Sequence, residues 1–84
     1  MTNELLNMVP EHLRGNITEL YEQLCDFADE AGVVIISPRD IERMFGKGRE
    51  KLDALVELGL VQFDLAIDVR NEIYKILKFI DLRK

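Results

Sequence analysis

The chain has 84 residues, of which 48% are hydrophobic and 32% charged, with a net charge of −5 at pH 7. That length fits one domain, and the apolar share excludes a disordered segment. Cys25 is the only cysteine, which excludes an internal disulfide and a thiolate metal cluster.

Residues 1–15 are expected to form an N-terminal arm or short helix, followed by a domain over residues 16–84. Leu5, Leu6, Met8, Val9 and Leu13 are apolar, but Pro10 and Gly15 interrupt any long helix. His12, the only histidine, has no Cys or His companion and reads as a surface residue. A helix should then start at Asn16, where an Asn cap and Glu19 three residues on approximate a capping box. Ile17, Leu20, Tyr21, Leu24, Phe27, Ala28 and Ala31 supply one apolar stripe, and Gly32 supplies the stop. Cys25 flanks that stripe as a packing residue. The acids Glu19, Glu22, Asp26, Asp29 and Glu30 read as a solvated face.

Val33–Ile36 is a β-branched run too short for a helix, and it reads as a strand. Ser37 then caps a second helix, with Pro38 in its first position and Asp40 in its first turn. Ile41, Met44 and Phe45 are its expected inward face. Gly46, Lys47 and Gly48 make a tight turn. A third helix follows from about Arg49 to Leu58, with Leu52, Leu55 and Val56 inward and Gly59 and Leu60 as a Schellman ending.

Two short helices joined by a glycine-containing turn form a helix-turn-helix. The stretch 36–61 also resembles the central segment of winged-helix regulators, on Ser37, Ile41, Phe45, Leu52, Leu55, Leu58, Gly59, Leu60 and Val61. The resemblance covers about a third of the chain. It implies an α+β winged helix-turn-helix: a three-helix core, a short strand before the second helix, and a C-terminal β-hairpin wing. Beyond Val61, the alternation of Val61, Phe63, Leu65 and Ile67 with polar or small residues predicts a strand over 61–67. Residues 69–72 would be the hairpin tip and 73–79 the returning strand. Val69, Ile73, Ile76, Leu77 and Ile80 also fit one helical stripe, so a C-terminal helix is the rival for the last strand.

The charge is unevenly spread. Residues 1–36 carry one cation against seven acids, whereas 37–61 balance five against five. A DNA-facing surface is therefore compatible with an acidic total, because distant charges are screened. In a helix-turn-helix the N-terminal residues of the last helix reach base edges. Arg49 is the candidate to read guanine, Lys47 and Lys51 to hold phosphate, and Arg39 and Arg43 to grip a backbone phosphate from the second helix. Arg70 and Asn71 at the hairpin tip could reach the flanking groove. The alternative for these residues is ordinary surface charge paired with Glu42, Glu50 and Asp53. No catalytic motif, phosphate loop or dinucleotide fingerprint is present in the sequence, so no enzyme and no cofactor or metal is expected.

The expected function is sequence-specific binding of double-stranded DNA by a small transcriptional regulator. The rival is a winged-helix module that binds another protein and no DNA, favoured by the acidic line Glu50, Asp53 and Glu57. A homodimer is expected, held by the chain ends through Leu5, Leu6, Val9, Tyr74, Phe79 and Leu82. It would set two copies of Arg49 about 34 Å apart, one turn of DNA. With no membrane-length apolar run and no signal-like start, the expected location is cytoplasmic.

Overall fold

In the computed structural model, which describes residues 2–64 and 70–78, helix α1 (Thr2–Asn7) and a 3-10 turn (Glu11–Leu13) lead into the core. Arg14 fastens this start of the chain. Its Nε and Nη2 donate to the carbonyls of Val9 and Asn7, at 2.9 and 3.0 Å. Val9 and Leu13 are thereby buried with the main cluster, and Leu5 and Leu6 pack against it.

Helix α2 (Ile17–Phe27) departs from expectation at both ends. Asn16 makes no side-chain capping bond, because it adopts a left-handed backbone with φ 63° and not the extended geometry a cap requires. At the other end the helix stops before Ala28, four residues short of Gly32. Asp29 explains the early stop. Its carboxylate accepts from the backbone amides of Ala31 and Val33, at 2.8 and 2.9 Å, and so offers the chain a turn in place of helix. Phe27 is consequently 60% exposed and leaves the apolar stripe formed by Ile17, Leu20, Tyr21 and Leu24.

Strand β1 (Val33–Ile36) follows, with Val34 and Ile36 facing the core. Helix α3 (Pro38–Phe45) begins as expected: the Ser37 hydroxyl accepts from the Asp40 amide and Pro38 opens the helix. Ile41 is buried and Phe45 half-buried, but Met44 is 56% exposed and not part of the inward face. Helix α4 (Gly48–Glu57) buries Leu52 and Leu55. It closes with a Schellman motif, in which the Gly59 amide donates to Val56 and the Leu60 amide to Leu55, at 3.0 and 3.2 Å. Gly59 carries the required positive φ of 77°, and Leu60 is buried.

Strands β2 (Val61–Phe63) and β3 (Glu72–Ile76) complete a three-stranded antiparallel sheet in the order β1-β3-β2. Tyr74 sits at its centre, opposite Val34 on one side and Phe63 on the other, with the Phe63 ring edge-on to it at 5.4 Å. The ladder on both sides makes residues 72–76 a strand, so the helical reading of Ile73 and Ile76 is replaced. Glu72 belongs to this strand and not to a hairpin tip. The remainder of the expected strand 61–67 past Asp64, and Val69 and Ile80, lie outside the described residues.

The fold is thus α+β, with four α-helices and one small antiparallel sheet among the described residues. Tyr21, fully buried on α2, donates its hydroxyl to the Lys78 carbonyl and ties the chain beyond β3 to the helical layer. Two of the six residues expected to hold a dimer, Val9 and Tyr74, are instead absorbed by the chain's own core. Phe79 and Leu82 lie outside the described residues. Among the described residues, no helix is long and apolar enough to cross a membrane.

Candidate nucleic-acid interface

The turn between α3 and α4 is two residues long, Gly46 and Lys47, both at positive φ (63° and 51°). Gly48 then begins α4 in direct contact with α3. A Cβ on Gly48 would fall 2.5 Å from Ile41 Cγ2 and 2.7 Å from the Ile41 carbonyl carbon, so only glycine permits this approach. The close join fixes how the two helices present their outer side chains.

Arg39, Arg43 and Lys47 are exposed along α3 and its turn. Arg43 pairs loosely with Asp40, Nη2 to Oδ1 at 3.6 Å, while Arg39 and Lys47 form no ion pair among the described residues. The first turn of α4 is electrostatically more complex. Arg49 donates through Nη1 to Glu72 on β3, and its Nε lies 3.9 Å from Asp53. The Glu72 carboxylate raises the Arg49 pKa further above its already high value. The second oxygen of Glu72 accepts from the Tyr74 hydroxyl at 2.6 Å, and burial with that bond pushes the Tyr74 pKa up.

Lys51 occupies a different environment from the one its type suggests. It is 5% exposed, and its ammonium donates to the Phe45 carbonyl at 2.7 Å, closing the C-terminal end of α3. It is a joint between the helices and lies off the exposed cationic surface. Glu42 does the reciprocal service for α4: its carboxylate accepts from the Arg49 amide at 3.1 Å, where the first turn of a helix has unpaired N–H groups.

The outward row of α4 is acidic. Glu50, Asp53 and Glu57 are exposed, and Glu50 lies 3.7 Å from the His12 imidazole. Glu50, Asp53 and Glu57 rim a shallow cleft of about 240 Å³ whose remaining walls are Pro10, Leu13 and Ala54. Arg70 is exposed and Asn71 half-buried at the start of β3, and both make contacts of their own. The structure therefore brings Arg39, Arg43, Lys47 and Arg49 onto the exposed surface of one two-helix unit and turns Lys51 into the joint between its helices.

Sequence reasoning missed Glu72, and gave Glu42 only as an ion-pair partner of surface cations, whereas it accepts from the Arg49 backbone amide. Neither role has a local signature, since each residue meets its partner through the packing of separate elements. No group of three or more His, Cys, Asp or Glu residues is placed to hold a metal among the described residues. Burial pushes the Cys25 thiol pKa up, opposite to the shift that activates a nucleophile. Comparison with family models, with curated proteins and with solved structures finds no match to this chain.

Proposed function

We propose that the chain is a winged-helix domain that binds double-stranded DNA through α3, the Gly46–Lys47 turn and the first turn of α4. The observation that carries this reading is the element order α2, β1, α3, α4, β2, β3 on a sheet ordered β1-β3-β2. In that arrangement α3 and α4 are a helix-turn-helix, β2 and β3 are the base of the wing, and α4 is the helix offered to the major groove. Arg39, Arg43 and Lys47 are the phosphate-holding residues, Arg49 is the base-reading residue, and Arg70 and Asn71 flank them from the wing. A chain of this kind acts by occupying its site, as a small transcriptional regulator in the cytoplasm. One short helix reads few bases, so the DNA-bound species in this reading is a homodimer on two half-sites.

A second reading rests on a separate observation, the acidic row of Glu50, Asp53 and Glu57 on the outward side of α4. That row repels phosphate and favours a winged-helix module whose partner is a basic protein. Salt dependence discriminates the two. Three phosphate contacts give a slope of about −2.7 in log affinity against log salt for each chain bound, so a fourfold rise in salt weakens binding roughly fortyfold per chain. Fluorescence anisotropy with a mixed-sequence duplex pool is expected to show this steep loss. No binding at low salt would overturn the DNA reading in favour of the protein-binding one.

A further inference from the structure

The Arg49 guanidinium already holds an oxyanion within the chain. Glu72 is the better fixed partner of that pair: its side chain is 14% exposed, against 53% for Arg49. Tyr74, buried at the centre of the sheet, anchors the carboxylate through its 2.6 Å hydroxyl bond and leaves the other oxygen aimed at Arg49. A carboxylate and a phosphodiester present similar paired oxygens to the same guanidinium donors. The carboxylate therefore stands where a nucleic-acid oxygen would have to arrive.

We infer that Glu72 is an intramolecular competitor for Arg49, so that nucleic acid engages this side chain only by displacing the anchored carboxylate. The inference rests on the DNA reading of the α3–α4 face. In the free protein the pair lowers the effective positive charge at the start of α4. The exposed cations Arg39 and Lys47 are left to make the first contacts, and Arg49 joins once a DNA group outbids Glu72. Glu72 thus sets how strongly the domain holds DNA and how much of that hold depends on the group presented to Arg49.

The test is Glu72→Gln, which keeps an oxygen acceptor for Tyr74 and removes the competing charge. Anisotropy with a mixed-sequence duplex at low salt is expected to show Kd falling about three- to tenfold. The salt slope should change little, because Arg49 reaches DNA in both complexes and the variant only removes the cost of displacing Glu72. Glu19→Gln, the same charge change on an exposed part of α2, controls for net charge and should shift Kd far less. In an Arg49→Ala background the gain from Glu72→Gln should vanish. Should the variant fold poorly, the Arg49 side-chain Nε–H resonance of the unmodified chain gives a second readout, and it should move on saturation with duplex. Equal or weaker binding by Glu72→Gln, or an unmoved Arg49 resonance in a bound complex, overturns the inference alone. Absence of binding by both proteins overturns the DNA reading, and the inference with it.

Discussion

Lys51 and Phe45 are joined across the two-helix unit: the Lys51 ammonium, on α4, donates to the Phe45 carbonyl at the end of α3. The bond satisfies a helix-terminal carbonyl and places a cation at the negative end of the helix dipole. It also means that one of five cations in residues 37–61 serves the fold. Lys51→Ala should destabilise the domain by about 1–3 kcal/mol, through a lost charge-assisted bond and the lost packing of its stem. The salt slope of DNA binding should not change. Thermal melts and the salt titration check both halves, and an unaltered melting midpoint would contradict the structural role.

Gly48 and Gly59 bracket α4 for different reasons. Gly48 lacks room for a side chain, since Ile41 lies within 3 Å of any Cβ there, whereas Gly59 has open space but a positive φ. Gly48→Ala should cost about 1–3 kcal/mol by forcing α3 and α4 apart. Gly59→Ala should cost about 1–2 kcal/mol from backbone strain, and Gly59→Asn less, because Asn tolerates the left-handed region. Chemical denaturation of the three variants would show this order. A neutral Gly48→Ala would mean that the helices do not meet as described.

Tyr74 makes stability fall in alkali. Its folded pKa is raised above the unfolded value near 10, by burial and then by the bond to Glu72. Below about pH 10 the hydroxyl is protonated in both states and the stabilisation is complete. As pH rises past that point the unfolded chain loses the proton first, so stability declines by at most about 1.4 kcal/mol per pH unit from this group. Tyr74→Phe should be less stable at neutral pH, having lost the Glu72 bond, yet show a shallower decline between pH 10 and 12. Urea midpoints across that range measure it, and parallel profiles would contradict the assignment.

The local grammar of the chain carried most of the fold. Ser37 and Pro38, the β-branched run before them, and Gly59 with Leu60 each act within a few residues, and each appears where propensity and capping place it. The failures are cases where a competing local turn or a neighbour in space overrode the expected signal. Asn16 carries cap chemistry but sits in a left-handed turn, and Asp29 ends α2 before the glycine that marks its limit. Residues 73–77 are ambiguous between two periods, and pairing with β1 and β2 on both sides makes residues 72–76 a strand. Within the candidate interface, residue type identified the cations but not their state. That Lys51 turns inward and that Glu72 engages Arg49 depend on packing between elements, which no spacing along the chain encodes.

The central claim, that DNA lies against α3 and the start of α4, is tested most directly by mapping amide resonance changes on titration with a duplex. The account predicts that the largest changes fall on residues 39–51, with a second group near Arg70 and Asn71, and that α1 and α2 stay unmoved. Changes confined to Leu13, Ala54 and the acidic row of α4, or no change at all at low salt, would contradict it.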